Sequence, residues 1–206
     1  MRILLSYCTV SKEAVAELII KKSRFIATVK PVPNEEEAMD FIRAVGKLHR
    51  EATHNVYAYR ISEDQEKCSD DGEPSGTAGR PVLNVIRGEN LLRVALVVTR
   101  YYGGVLLGAG GLVRAYSQTS TLGIAEAGLV TRRLAQAFTV QFDLNLFGRV
   151  KKAIEKSGAN IIEVLVTDRA LIRAQILLEE FEVLAAKLVE LSSGRANINK
   201  LDQEYI

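Results

Sequence analysis

The sequence lacks several features that would assign it to a class of protein at once. Its 206 residues contain no tryptophan and only two cysteines. Cys8 and Cys68 lie far apart and form no metal-ligand spacing. With no disulfide framework, a reducing compartment is expected. No low-complexity tract interrupts the chain, so we expect folded domains.

Long apolar runs and a strong charge of one sign are missing as well. No run approaches the ~20 apolar residues of a membrane-spanning helix, so we expect no membrane association. Residues 1–12 are too polar for a signal peptide, which predicts a cytoplasmic location. The 27 basic and 25 acidic side chains leave a net charge of +2. This balance does not indicate a nucleic-acid binder, although it is compatible with a local basic face.

Apolar residues make up 48% of the chain, which is enough for a buried core. In the first part, extended segments alternate with helical patterns. Asn34 is a predicted helix cap with Glu37 three residues later, Pro81 suits a first helical turn, and Gly128 suits a helix end. The predicted elements are an extended segment at Glu13–Val32, a helix from Asn34 to Leu48, strands at Asn55–Ile61 and Val94–Thr99, a helix beginning near Pro81, and a helix from Leu112 to Ala127. Residues 61–79 read as a long polar connection.

The remainder of the chain has a different pattern, in the order β-α-β-β-α-β. This order is typical of the ferredoxin-like, split βαβ arrangement. Its predicted strands are Leu134–Asp143, Ile161–Thr167, Ala170–Leu178 and Ala196–Leu201, with helices at Leu146–Lys156 and around Phe181–Leu191. We therefore predict an α+β protein with two domains, residues 1–130 and residues 135–206.

A glycine-rich loop lies between a predicted strand and a predicted helix. Its glycines are Gly103, Gly104, Gly108, Gly110 and Gly111. Backbone N–H groups in such a loop, together with the helix dipole, favour an anion, and Arg100 and Arg114 flank the loop. A dinucleotide motif would need glycine where Val113 stands, and a P-loop would need lysine where Ala109 stands. Phosphate or RNA-backbone contact and simple turn geometry remain alternative interpretations.

A second loop is acidic and contains Asp70, Asp71 and Glu73 around a glycine. Grouped carboxylates need solvent or neutralising partners. They could bind Mg²⁺ or Ca²⁺, although the spacing is not that of an EF-hand. They could also complement a helix dipole, or form ion pairs with Arg80, Arg100 or Arg114. An internal clamp to these arginines is favoured, so we predict no metal and no cofactor.

Other residues near the two loops are weaker candidates. His54 precedes the acidic loop and could act as a general base. Lys22 and Arg24 extend a basic edge, which a solvated strand face explains equally well. Several tyrosines could stack on bases or could be ordinary packing residues; they are Tyr57, Tyr59, Tyr101, Tyr102 and Tyr116.

Three segments of the sequence carry a resemblance to a known family. Residues 69–81 resemble the segment S-D-D-G-E-P-x-G-T-A-G-x-P, and residues 100–116 resemble R-Y-[YF]-G-G-x-x-L-G-x-G-G-L-V-x-A-Y. Residues 21–25 match K-K-S-R-F. These are signatures of the YigZ/IMPACT family, and the resemblance covers about residues 13–128, with a looser likeness beyond.

The resemblance implies a fold and a field of function. It implies a first domain like domain IV of elongation factor G and a ferredoxin-like second domain like its domain V. Eukaryotic relatives regulate translation by binding a ribosome-associated activator of the amino-acid-starvation kinase, through an additional N-terminal domain. We expect the loop-bearing domain to carry over to this chain, but not that regulatory circuit.

The expected function is that of a translation-associated regulator. Its partner would be RNA, the ribosome or a ribosome-bound protein factor. The alternatives are an enzyme acting on a phosphate-bearing small molecule and a pure protein-interaction module. No catalytic residue is assigned, and binding is favoured over catalysis. The candidate contact residues are Arg100, Tyr101, Tyr102, Gly103, Gly104, Gly108, Gly110, Gly111, Arg114, Asp70, Asp71, Glu73, His54, Lys22 and Arg24.

Overall fold

The computed structural model of the chain describes residues 4–206. These residues form two compact units. One unit is Tyr7–Thr131, and the other is Arg132–Ile206 together with residues 4–6. The prediction placed residues 4–6 in the first domain, whereas the backbone N–H of Leu134 donates to the carbonyl oxygen of Leu5 at 2.8 Å and joins them to the second unit.

The first unit is built around an antiparallel sheet. Its elements are β1 (Ser6–Val10), β2 (Ala14–Ile20), β3 (Ser23–Pro31), α1 (Glu35–Leu48), β4 (His54–Arg60), β5 (Glu66–Ser69), α2 (Gly79–Gly88), β6 (Val94–Tyr101) and α3 (Ala109–Ala127). The sheet has the order β2-β3-β6-β4-β5, and each neighbouring pair is antiparallel.

Both faces of this sheet are covered. Helices α2 and α3 pack on one face, in a core that includes Leu96 and Val98 of β6. Helix α1 packs on the other face, against Ala95 and Val97 of the same strand. Successive side chains of a strand point to opposite faces, so the continuous apolar run of β6 supplies both cores.

Several predicted helix ends are confirmed. The Asn34 side chain accepts a hydrogen bond from the backbone N–H of Glu37 at 2.9 Å and so caps α1. Gly128 has φ +67° and ends α3. Pro81 lies in the first turn of α2, where its missing N–H costs nothing.

Other predicted elements needed correction. The polar connection at residues 61–79 contains the short strand β5, whose sequence has no apolar alternation. The extended segment Glu13–Val32 is a hairpin of β2 and β3, turned at Lys21 and Lys22 with φ of +47° and +68°. Helix α3 begins at Ala109, three residues earlier than predicted, because Gly108 has φ +73° and serves as its N-cap.

The second unit has the element order predicted for it. Its elements are β7 (Leu129–Asp143), α4 (Phe147–Lys156), β8 (Asn160–Val166), β9 (Arg169–Leu177), α5 (Leu178–Leu191) and β10 (Asn197–Tyr205). The sheet has five strands in the order β1-β7-β9-β8, and β10 also pairs with β7. The pairs of β7 with β9, of β7 with β10 and of β8 with β9 are antiparallel. Strands β7 and β10 are longer than predicted. The predicted mixed α/β architecture, with the β-α-β-β-α-β order, is confirmed; the likeness to elongation factor G stays a prediction.

The helices of the second unit enclose its core. Phe138 and Ile172 of the sheet pack with Ile154 of α4 and with Phe181 and Leu188 of α5. Within residues 4–206, the structure contains no helix with the length and apolar character needed to cross a membrane.

A close approach between α3 and β3 makes Gly123 sensitive to substitution. A Cβ atom at Gly123 would lie 2.8 Å from the Cβ of Ala27. We expect Gly123→Ala to lower the free energy of unfolding by about 1–3 kcal/mol, because the core cannot accept the added carbon. Gly46→Ala is the matched control, since α1 leaves open space there; it should raise stability by about 0.5–1 kcal/mol. Urea denaturation measures both, and equal effects of the two substitutions would contradict the packing assignment.

Candidate functional site

The sheet register brings three distant parts of the sequence into one row. Phe25 of β3 pairs with Arg100 of β6, and Arg100 pairs with His54 of β4. Paired residues of neighbouring strands share a face, and Phe25 belongs to the core beneath α2 and α3. The row therefore places Arg100 and His54 beside the N-terminal part of α3.

Glu73 of the acidic loop reaches this row and is buried there. Its Oε1 accepts a hydrogen bond from Arg100 Nη1 at 2.6 Å and another from the Tyr116 hydroxyl at 2.8 Å. The Glu73 and Arg100 side chains are only 3% and 6% exposed. Burial raises the pKa of Tyr116, and the bond to the Glu73 carboxylate raises it further. Glu73 thus ties the acidic loop to β6 and to α3 through one buried carboxylate.

The Arg100 guanidinium is enclosed by aromatic rings. It lies 5.4 Å from the ring centroid of Phe25 and 5.3 Å from that of Tyr102, and Nη2 is 3.4 Å from the Ser23 hydroxyl. The favoured clamp between the acidic loop and an arginine therefore involves Arg100. In the part of the chain that the structure covers, Arg80 and Arg114 are exposed and form no ion pair. Arg100 positions the loops, and its burial removes it from the exposed contacts expected from the sequence.

Asp70 of the same loop has a different task. Its carboxylate accepts hydrogen bonds from the backbone N–H groups of Gly76 (2.8 Å), Ala78 (3.1 Å) and Gly79 (2.8 Å). These groups lie at or just before the start of α2, where N–H donors have no intrahelical partner. Burial raises the pKa of Asp70, but the three hydrogen bonds outweigh it and hold the pKa below its ordinary value. Asp70 is an external cap of α2.

Asp71 fixes the orientation of His54. The backbone N–H of Asn55 donates to Asp71 Oδ2 at 2.6 Å, and His54 Nδ1 lies 2.7 Å from the Asp71 carbonyl oxygen. A carbonyl oxygen only accepts, so Nδ1 carries the proton. In the neutral ring Nε2 then holds the free lone pair, 4.0 Å from Glu73 Oε1. Three carboxylates with three separate sets of partners do not form the converging oxygen set that Mg²⁺ or Ca²⁺ requires.

The glycines of the second loop meet two different demands. A Cβ atom at Gly103 would lie 2.0 Å from the Lys22 carbonyl carbon, so only glycine allows this approach. Gly104 and Gly108 have φ of +80° and +73°, which favours glycine. Gly110 and Gly111 lie in the first turn of α3, ahead of the first intrahelical donor, Leu112. Gly103, Gly104 and Gly108 therefore support the turn-geometry interpretation. The N–H groups of Gly110 and Gly111 remain free for a ligand.

The two loops enclose a cleft of about 380 Å³, called here the two-loop pocket. Its polar side is formed by His54, Glu73 and Arg100, with Tyr102 beside them. Its remaining walls are Thr53, Gly72, Pro74, Leu106, Leu107, Gly108, Ala109 and Leu112. The pocket therefore combines an oriented imidazole and a buried ion pair with apolar walls and the start of a helix.

Other candidates lie outside this pocket. Arg24 and Tyr101 are register partners one position from the row, so they point to the opposite face of the sheet. Arg24 pairs there with Glu17 at 2.8 Å, and the Tyr101 hydroxyl is 3.0 Å from His49 Nδ1. Lys22 is exposed in the β2–β3 turn. The sequence pattern does not reveal strand register, so it could not predict that these candidates lie on opposite faces of the sheet.

The tyrosines differ in how accessible they are. Tyr59 is 1% exposed and Tyr116 is fully buried, so the stacking role considered for them is wrong. Tyr102 is 45% exposed. Its backbone N–H donates to the Thr53 hydroxyl at 3.0 Å, and its ring rests near Arg100. Among these rings, Tyr102 combines accessibility with a fixed position at the pocket.

Sequence reasoning missed two supporting hydroxyl groups. Ser23 is buried and accepts the backbone N–H of Gly103 at 3.1 Å. The Thr53 hydroxyl likewise accepts a hydrogen bond from the backbone N–H of Tyr102, the residue before Gly103. Ser23 lies inside the family segment K-K-S-R-F, and this position is the feature of the sequence that could have identified it as a site residue. Nothing in the sequence around Thr53 distinguishes it from an ordinary loop residue.

Two family models match the chain. The Impact N-terminal domain matches residues 21–124, which contain all the candidate site residues. A domain of unknown function (DUF1949) matches residues 140–195.

Known proteins and structures extend this likeness. The "IMPACT family member YvyE" of Bacillus subtilis is 36% identical over 98% of this chain and 94% of that protein. "Protein IMPACT" of Mus musculus is 40% identical over 95 residues, covering 43% of this chain and 29% of that protein. A crystal structure of a hypothetical protein has a TM-score of 0.65 at 28% identity, over 97% of this chain and 99% of that one.

The buried pair makes a quantitative prediction. Glu73→Gln leaves the Arg100 charge without its partner, so we expect a loss of about 3–5 kcal/mol in the free energy of unfolding. Arg100→Met should cost a similar amount, whereas the double variant should cost clearly less than the sum of the two. Urea denaturation of all four proteins gives the coupling energy.

The matched control is the exposed pair Arg24–Glu17. Glu17→Gln should leave the unfolding midpoint nearly unchanged, since solvent and salt screen exposed pairs. Strictly additive losses for Glu73→Gln and Arg100→Met would contradict the role of the pair as one unit.

Proposed function

The chain belongs to the IMPACT family, and from that premise we propose that it acts in translation by binding RNA of the translation apparatus through its two-loop surface. The two-loop surface is the exposed rim of the two-loop pocket, with Tyr102, Lys22, Arg114 and the first turn of α3. Family membership, including the likeness to mouse Protein IMPACT, fits a role in translation. A ribosomal target implies a cytoplasmic location.

The observation that carries the proposal is the half-exposed ring of Tyr102. The Thr53 hydroxyl holds the backbone N–H of Tyr102, and the Arg100 guanidinium lies 5.3 Å from the centroid of the ring. An aromatic ring that is accessible and already oriented suits stacking with an unpaired base, because little rotamer entropy is lost on binding.

Charges around Tyr102 suit a phosphate backbone. The neighbouring Gly103 packs directly on the backbone of Lys22, whose ammonium side chain is exposed. Arg114 is exposed on α3, and its Nη1 approaches the first turn of that helix near Gly110. Together with the N–H groups of that turn, these cations supply contacts of the kind that position nucleic-acid backbones.

The direct test is binding of the full chain to purified ribosomes and to a fluorescent single-stranded RNA oligonucleotide over a series of salt concentrations. Tyr102→Ala should weaken RNA binding by about 1–3 kcal/mol, and Tyr102→Phe should retain it. Arg114→Ala should weaken binding and reduce the slope of log K against log salt by about one.

Lys47→Ala is the matched control, because Lys47 is an exposed lysine in the last turn of α1, away from the pocket. It should leave both affinity and slope unchanged. A wild-type protein that binds neither ribosomes nor RNA at low salt would refute the proposal. Ribosome binding that survives nuclease treatment and ignores Tyr102→Ala would indicate a protein partner instead.

A second candidate function rests on His54. His54 lines a pocket large enough for a small molecule, with its Nε2 4.0 Å from Glu73 Oε1, and the Asp71 carbonyl fixes the tautomer that a general base requires. These facts favour an enzyme acting on a phosphate-bearing small molecule, with the first turn of α3 as the phosphate contact.

This candidate is checked by thermal unfolding in a panel of nucleotides and sugar phosphates. A ligand of the pocket should raise the Tm of the wild type, because it binds the folded state alone, and His54→Gln should abolish the rise. His49→Gln is the control, since His49 contacts Tyr101 on the opposite face. Unchanged melting curves across the whole panel would remove the enzymatic alternative.

A further inference from the structure

Helices α4 and α5 of the second unit form a groove that the proposed function does not use. Its volume is about 620 Å³. Helix α4 lines it with Arg149, Lys152, Ala153 and Lys156, at spacings of three, four and seven residues from Arg149. Such spacings define one face of a helix. Helix α5 lines the other side with an equivalent face.

The floor of the groove is apolar. It is formed by Ala153 of α4 and by Leu184 and Leu191 of α5; Ala153 and Leu191 are half-buried and Leu184 is buried. Val183 stands at its edge with 76% of its surface exposed. A branched aliphatic side chain this exposed, next to further apolar surface, gains free energy when another surface covers it.

The α4 side of the groove is strongly basic. Arg149, Lys152 and Lys156 are all exposed, and within residues 4–206 none of them forms an ion pair or a side-chain hydrogen bond. On the α5 side, Glu179 pairs with Arg133 at 2.7 Å and Lys187 with Glu190 at 2.8 Å, and within residues 4–206 the exposed carboxylate of Glu180 forms no ion pair, which leaves one negative charge against three positive ones. The groove therefore has an apolar floor and three uncompensated positive charges along one wall.

We propose that this groove binds an acidic amphipathic helix of a partner protein. Apolar side chains at positions i, i+3, i+4 and i+7 of the partner would cover the floor, as in other helix-in-groove complexes. Carboxylates on one flank would face Arg149, Lys152 and Lys156. Helix α4 has ten residues, about 15 Å, so the contact spans about three turns of the partner.

Charge complementarity selects this occupant over two others. A second copy of the chain docked through the same face would bring two basic stripes together, which like-charge repulsion opposes. The phosphates of a nucleic acid would neutralise Arg149, Lys152 and Lys156, but the aliphatic floor would then lie against phosphates or base edges. None of the residues that line the groove is aromatic, so the groove offers no stacking surface.

The experiment is selection of random 12-residue peptides displayed on phage against the full chain. Enriched peptides, synthesised with a fluorescent label, are then measured by anisotropy. The proposal expects enrichment of Asp and Glu on one flank of a helical apolar pattern. Lys152→Glu should weaken the binding of these peptides on the order of tenfold or more. The triple reversal of Arg149, Lys152 and Lys156 to Glu should shift selection toward basic peptides.

Matched variants separate the groove from general charge effects. Val183→Asp and Val189→Asp add the same charge to α5, but only Val183 lines the groove. Val183→Asp should weaken peptide binding about tenfold, and Val189→Asp should change it less than twofold. Lys47→Glu, an exposed lysine in the first unit, should have no effect. These positions are exposed, so the variants should fold, and circular dichroism checks this.

Four results would overturn the proposal. The first is no enrichment, or enrichment of peptides without acidic residues. The second is peptide binding that Val183→Asp leaves unchanged. The third is binding of a single-stranded RNA oligonucleotide that Lys152→Glu abolishes and Val183→Asp does not, which would assign the stripe to nucleic acid. The fourth is self-association in sedimentation that Val183→Asp abolishes, which would assign the groove to a second copy.

Discussion

The ion pair between Glu73 and Arg100 is the interaction on which the candidate site depends. Neither charge could remain in this nearly dry environment alone. The same Glu73 oxygen also accepts the Tyr116 hydroxyl, so one carboxylate joins the acidic loop, strand β6 and helix α3. The pair therefore determines how far apart the two loops lie, and with that the width of the two-loop pocket.

Strand alternation divides the candidates between two faces of one sheet. Arg100 and His54 point toward α3, whereas Arg24 and Tyr101, one residue away in their strands, point toward the opposite face. A cluster in the sequence is thus two separate groups in space. The face under α3 holds the pocket. The other face holds an exposed ion pair and a tyrosine–histidine contact, which suits support of the fold more than recognition.

Much of the fold could be predicted because its signals are local. The Asn34 cap depends on a residue three positions away, Gly128 on its own backbone angle, and the helices of the second unit on apolar periodicity. Strand β5 was missed because its stability comes from pairing with β4, not from its own side chains. The importance of the two loops could also be predicted, since their glycines and carboxylates have no place in a core.

The sequence by itself determined the class of fold, the element order of the second unit, and the two loops as the region to study. Only the tertiary structure decided which acid meets which base. Asp70, Asp71 and Glu73 are chemically alike and nearly adjacent, yet the Asp70 carboxylate caps a helix, the Asp71 carboxylate binds the start of β4 while its backbone carbonyl orients His54, and the Glu73 carboxylate neutralises Arg100. The partners of Asp70 lie only six to nine residues further on, around the start of α2. The partners of Asp71 and Glu73 lie 16 to 43 residues away in the chain, and only strand register and helix packing bring them within hydrogen-bond distance.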